Sequence, residues 1–491
     1  TEAQKPAERA SELHRAFAEW LGIKGEALEN DLRLQKLGDW YGRYQSAGAT
    51  PPPHEAVDFY ARSLGLIDPP PSFSVMIDSQ GGASMSRELE VQAERAMRGQ
   101  SYTHYGLSDA QISGRRVVVL VLSSRQLELR PIERQVRVPS TVRVQGSLRP
   151  PYRAPALAVE GPGGEVKRVA LGSAPSFSAE VPIEGRGEYR IELLAEGPDG
   201  PTVVANFPVY AGMEPPLELR VQSSTAMGET RSPRLVAASL LQLLNQTRRS
   251  AGLEVLETHP KVEAIALSHS QDMLNNQFIG HVSPRTGSAI DRVNRAGLRS
   301  GLVLENVGRG YGAGELHRGF LKSPGHRANL LNPDVTHVGI AVVEDASGGR
   351  KAFLTTELFV RMAQEVDVKA APKIVLEAIN RNRRARGAAP LEADDNLTRE
   401  AGKGARIFFR EARSTQQEVV DKASARLRSY AIAYRRIAGL MAVVTQLDEA
   451  TQLEPTLDPS LRYVGIGVAQ GSRPDTPSNA IAVVILLAWP R

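Results

Sequence analysis

Apolar residues recur at three- and four-residue spacing from Leu13 to Leu66, as at Leu28, Leu32, Leu34 and Leu37, and this period predicts helix. Pro51-Pro52-Pro53 interrupts the stretch and Pro69-Pro70-Pro71 closes it, because proline lacks the amide that a helix interior uses. A second helical stretch, Met85 to Arg98, leads to Tyr102-Thr103-His104-Tyr105-Gly106-Leu107 and then to an apolar strand, Val117–Leu122. From about Val136 to Val221 the texture changes. Short runs such as Ser140–Val144, Ala156–Val159, Ser176–Val181, Tyr189–Leu194 and Thr202–Val209 alternate with turns such as Gly161-Pro162-Gly163-Gly164 and Gly197-Pro198-Asp199-Gly200. That punctuation predicts a small all-β, immunoglobulin-like sandwich over 129–221, a spacer or docking module without a catalytic constellation. The polar run Gln222–Pro233 reads as a linker.

Beyond the linker the chain repeats itself. Leu244-Asn245-Gln246-Thr247-Arg248-Arg249-Ser250-Ala251-Gly252 aligns without gaps on Ile379-Asn380-Arg381-Asn382-Arg383-Arg384-Ala385-Arg386-Gly387. The register continues through Leu256/Leu391, Glu257/Glu392, Val262/Leu397 and Ala266/Ala401. Each copy reads as an amphipathic helix, a glycine at its C-terminal cap, a short loop and a second helix. The copies also end alike: Val338-Gly339-Ile340 with Ala352–Thr356, against Val464-Gly465-Ile466 with Ile481–Ala488. Tyr105-Gly106-Leu107 and the strand after it suggest a third, more eroded version at 1–128.

Composition narrows the function classes. At 491 residues the chain holds three or four domains of roughly 100–200 residues. With no cysteine there is no disulfide, thiolate metal site or thiol catalysis. The net charge of +5 is spread among interspersed acids and bases, with no basic arm, so nucleic acid is not the expected partner. A basic balance leaves room for an anionic envelope polymer or a membrane surface. The Arg-rich stretch Arg426–Arg436, read as helix, could face such a surface, although a solvated face is its default reading. No run of 18 apolar residues spans a bilayer. The opening Thr1-Glu2-Ala3-Gln4-Lys5-Pro6 looks like a processed, exported N-terminus, and peripheral or lipid-anchored membrane association is compatible with it.

Three segments could carry chemistry: Gly280-His281-Val282-Ser283-Pro284, Leu304-Glu305-Asn306-Val307-Gly308, and Lys322 to Pro333 with Ser323-Pro324-Gly325-His326-Arg327 at its head. Ser323 suits a helix N-cap and Pro324 the first helical position, which puts His326 in the first turn. The positive helix end there favours a neutral imidazole, able to ligate a metal or accept a proton. Ser283 has no nucleophile elbow around it and reads as a turn residue. His337 reads as the start of a strand at a cleft edge, and His269 as a packed or surface residue.

These ordered motifs resemble those of the CAP superfamily, the cysteine-rich secretory, antigen and pathogenesis-related proteins, in particular its bacterial secreted branch. The resemblance implies an α/β/α sandwich at about 235–362 with a cleft lined by His281, Glu305 and His326, flanked by Asn306, Ser323 and His337. It also implies departures: Phe320 and Ser323 stand where many relatives carry Trp and Glu. Three readings of the trio stay open. One is a buried polar network that ties loops together. Another is a weak Zn²⁺ site, and the last a hydrolytic centre with Glu305 as base. No histidine follows His337, so the copy at 363–491 cannot repeat the two-imidazole site. The expected whole is an α+β multidomain chain. Its expected role is recognition of an envelope component, lipid or protein, in the envelope or outside the cell. The alternatives are a metal-dependent hydrolase of peptide or envelope substrates, and a structural scaffold with a vestigial site.

Overall fold

The computed structural model describes residues 12–48, 51–78, 84–98, 101–198, 200–219, 232–346, 351–427 and 434–490. Among them are twelve α-helices and five sheets, a mixed α/β architecture. Three of the sheets have four strands in one and the same order. A two-residue strand pairs in parallel with the first strand of a hairpin, and the hairpin's second strand pairs antiparallel with an edge strand. In the first sheet these are Glu29–Asn30, His104–Ile112, Arg115–Ser123 and Ser72–Asp78. In the last they are Glu392–Ala393, Tyr463–Gly471, Ala480–Trp489 and Arg436–Val444.

The middle unit uses β1 (Glu257–Thr258), β2 (Val303–Gly310), β3 (His337–Asp345) and β4 (Ala352–Val360), in the order β1-β3-β4-β2. Its helices are α1 (Pro233–Ser250), α2 (Pro260–Asn276), α3 (Ala289–Arg295), α4 (Ala313–Lys322) and α5 (Pro324–Leu330). Apolar cores lie on both faces of this sheet. On one side α1 and α4 bring Leu240, Leu244, Leu316 and Phe320 onto Ile340, Phe353 and Phe359. On the other, α2 and α3 bring Val262, Ile265 and Val293 onto Ala341, Leu358 and Val360.

The aligned halves fold alike down to their buried arginines. The side chains of Asn245 and Asn380 each make a pair of hydrogen bonds to one backbone residue, Leu256 and Leu391. Arg248 donates to the carbonyls of Glu254, Leu330 and Asn332; Arg383 donates likewise to Ala389, Thr456 and Asp458. All three units also share one close crossing. Gly106, Gly339 and Gly465 press on the backbones of Leu34, Val262 and Leu397, and any Cβ there would fall inside those atoms. Only glycine allows that approach of helix to strand.

Residues 127–211 form two sheets around a shared core that includes Val144, Phe177, Ile191, Leu193, Val204 and Val209. One sheet has three strands, in the order Ser176–Ile183, Ser140–Leu148, Leu127–Leu129. The other has five: Gln135–Val136, Gly200–Ala211, Gly187–Gly197, Arg153–Glu160 and Val166–Ala170.

Some sequence expectations need correction. The helical reading of Leu13–Leu66 covers three helices, Glu12–Lys24, Leu32–Gly48 and His54–Ser63, with strand Glu29–Asn30 between the first two. The Arg-rich stretch is not one helix: a helix ends at Leu427 and Arg436 opens a strand, while 428–433 lie outside the described residues. Most of the expected linker, 222–231, also lies outside them, and Pro233 already begins α1.

Candidate functional site

β2 is the edge strand of its sheet, bonded only to β4, so its other flank meets loops and short helices. Glu305 sits there at 7% exposure, surrounded by side chains from three other segments. His281 Nδ1 lies 3.0 Å from Glu305 Oε1, and buried His269 Nε2 lies 3.9 Å from the same oxygen. Oε2 accepts from the guanidinium of Arg292, itself 5% exposed. Burial alone would raise the carboxyl pKa. The His281 hydrogen bond and then the charges of Arg292, His281 and His269 overcome it, so Glu305 titrates below its ordinary 4.5.

Local sequence explains these placements. Ser288 and Asp291 form a capping box that starts α3, which brings Arg292 round to face inward. Arg292 also donates to the carbonyls of His281, at 3.2 Å, and Gly287, at 2.6 Å, and so holds the 281–287 loop. Ser283 closes that loop as a turn residue: its Oγ accepts from the amides of Arg285 and Thr286 and donates to Asp272.

Ser323 is the N-cap of α5, accepting from the His326 amide, with Pro324 at the first helical position as its sequence requires. Asn306 reaches across from β2 to the His326 carbonyl at 3.4 Å, and Asn329 of α5 returns to the Glu305 carbonyl at 3.1 Å and to Asn306 Oδ1 at 3.0 Å. His326 packs edge-on against Phe320, ring centroids 5.2 Å apart. Burial, with His281 and Arg168 adding to it, pushes its pKa down to about 3, so the ring is neutral at ordinary pH. Neutrality was expected from the helix end; burial is the first cause of it here.

The structure thus gathers His281, Glu305, Asn306, Ser323 and His326 around one edge of the sheet. His337 keeps other company, with Thr336, Glu257 and His259 at the start of β3. Sequence reasoning missed Arg292 and assigned His269 no role here, although its Nε2 also bonds the Gly280 carbonyl at 2.9 Å. It missed Glu357 as well, fully buried on β4, where Asn306 donates to one oxygen and the other has no partner. Burial raises the Glu357 pKa to about 7, the Asn306 bond opposing it. The signal for Glu357 was a lone acid inside the otherwise uncharged run Ala352–Val360.

Both Glu305 oxygens are taken, one by a guanidinium that competes with any cation. Among the described residues no group of three or more His, Asp or Glu is arranged to hold a metal ion. A three-ligand set with Glu305 as ligand therefore does not fit this arrangement. What remains is a carboxylate-oriented imidazole: His281 Nδ1 faces Glu305, and Nε2 is presented on a side chain 25% exposed.

Residues 241–360, the middle unit that holds this site, match the cysteine-rich secretory protein family, CAP. The chain is 32% identical over 129 residues to the uncharacterised protein YkwD of Bacillus subtilis, covering 26% of this chain and 50% of that one. It is 38% identical over 104 residues to the uncharacterised membrane protein YlbC of the same organism, covering 21% and 30%. The chain thus spans half or less of the curated relatives it matches. Among solved structures it is similar to an extracellular SCP-domain protein from Bacillus anthracis at 19% identity and TM-score 0.24, covering 48% of this chain and 86% of that one. A second is a cysteine-rich secretory protein from Staphylococcus aureus, at 12% identity and TM-score 0.22, covering 48% and 89%. No helix among the described residues is long and apolar enough to cross a membrane.

Proposed function

We propose that this is an exported bacterial protein whose CAP groove at His281, Glu305 and His326 recognises a ligand in the envelope or outside the cell, without turnover. The observation that carries the reading is the full engagement of Glu305 by His281 and Arg292. A carboxylate so held is a poor general base, because its lone pairs are committed. It serves instead to fix the His281 ring and leave Nε2 for a ligand's donor. In this reading 363–491 is a CAP repeat stripped of its site, and 1–128 is a third copy. The shared strand order and the three crossing glycines support both. The 129–221 unit is an immunoglobulin-like module, supported by its two sheets around one core.

The test is binding of the full chain to isolated envelope fractions. His281→Ala and His326→Ala are expected to weaken it at least tenfold. Equal binding would favour the scaffold reading, and peptide hydrolysis abolished by Glu305→Gln would favour the hydrolase. A second reading, weak Zn²⁺ held by two imidazoles, is favoured by the His281 Nδ1–Glu305 bond, since zinc-ligating histidines commonly donate their other nitrogen to a carboxylate. Zinc titration that is indifferent to both histidine substitutions would remove it.

A further inference from the structure

The 127–211 double sheet touches both segments that carry the histidines. Gly200, at the turn between strands Gly187–Gly197 and Gly200–Ala211, abuts Val282 beside His281; a Cβ there would lie 2.6 Å from Val282 Cγ2. On the other side the sheet meets α5. Glu160 pairs with Arg327 at 3.1 Å, and Arg168 donates to the Gly325 carbonyl at 2.9 Å. Glu192 accepts from Ser323 Oγ and from the Gly325 amide, both at 2.7 Å. Strand alternation explains Glu192: Ile191 and Leu193 face the sandwich core, so Glu192 points out of the opposite face, yet it is fully buried because α5 covers it. A buried carboxylate persists only when paired. The Gly325 amide lies in a first helical turn, where no helical carbonyl reaches it, so its protection comes from Glu192.

We propose that the double sheet is a gate docked beside the His281–His326 groove and latched by Glu192, so that His326, only partly exposed while the sheet is docked, opens further when the sheet lifts from α5. The proposal rests on reading the groove as a binding site and adds how access to it is regulated. Glu192 is a positioning residue. It holds Ser323 and Gly325, and through them the first turn that carries His326.

The experiment uses the full chain and needs no ligand. Hydrogen exchange at the Gly325 amide and carbethoxylation of His326 by diethyl pyrocarbonate are followed in wild type, Glu192→Ala and Ser323→Ala. Both rates are expected to rise at least tenfold in Glu192→Ala and severalfold in Ser323→Ala, while buried His317 stays as slow as in wild type. Freed Gly325 exchange with His326 reactivity within twofold of wild type would overturn the gate, leaving a merely structural contact. Unchanged Gly325 exchange would overturn the latch. If His317 accelerates in step with His326 in both variants, the loosening is global and the proposal also falls. Envelope binding that depends on His281 but occurs without any of these changes would keep the proposed function and discard the gate.

Discussion

Replacing Arg292 with Met probes the electrostatic centre of the site. The substitution keeps most of the stem's volume but removes the cation from Glu305 Oε2 and the two bonds that hold the 281–287 loop. Breaking one side of a buried ion pair generally costs about 3–5 kcal/mol, because the other charge is left in low dielectric. Here the His281 bond to Oε1 remains, so the lower end, about 3 kcal/mol, is expected. At about 1.4 kcal/mol per decade, that corresponds to roughly a 150-fold loss of protection. The three tryptophans, Trp20, Trp40 and Trp489, all lie in the outer units, so intrinsic fluorescence does not report on this change. Hydrogen exchange of the central β4 amides, Thr355 to Phe359, does. The double variant Arg292→Met/Glu305→Gln should regain at least tenfold of the loss, since no uncompensated charge is left inside. Protection of Arg292→Met within threefold of wild type would refute the account of Glu305 as a carboxylate held ionised by its neighbours.

Two acids make opposite contributions with pH. The folded pKa of Glu305 is depressed, so its stabilisation is present above 4.5 and is lost as pH falls through the folded value; Glu305→Gln should flatten that acid limb of β4 exchange. The folded pKa of Glu357 is raised, so its contribution is present below 4.5 and is lost as pH rises through about 7; the gap corresponds to about 3 kcal/mol. Glu357→Gln should therefore abolish the alkaline decline in protection, and an unchanged slope between pH 5 and 8 would count against a neutral Glu357. Gly339→Ala would force α2 off β3, at a cost of about 3 kcal/mol or more. Exchange in α2 should rise about a hundredfold, and wild-type protection there would show the crossing to be slack.

Part of this was legible in the sequence because it is local or periodic. The gapless alignment of Asn245 and Arg248 on Asn380 and Arg383 carries one folding unit into another, since those side chains bind backbone a short way downstream as well as farther off. Ser323 and Pro324 declared a helix start by their own chemistry, and the Gly-His and Glu-Asn motifs brought His281 to Glu305. The remainder depends on contacts that no local pattern encodes. Arg292 looks like any surface arginine on a short helix until α3 turns it inward. Glu192 occupies an ordinary outward position in a strand, and its partner lies 131 residues away. The two-residue strand that interrupts the first helical stretch is too short to impose a period of its own.

Counting outward from the crossing glycine, the positions of Glu305, Asn306 and Glu357 in the middle unit correspond to Gly439, Leu440 and Ile485 in the last, and to Phe73, Ser74 and Leu120 in the first. The siblings fill those slots with greasy or small groups. A Leu440-type filling needs no partner, tolerates jostling and ignores acidity, whereas an inlaid acid–amide–acid trio holds only while each member keeps its proton state and its neighbour. The middle unit is thus the fragile link between two sturdier neighbours, and a chain stressed by heat or alkali would lose the order of that trio while most of its bulk still stood.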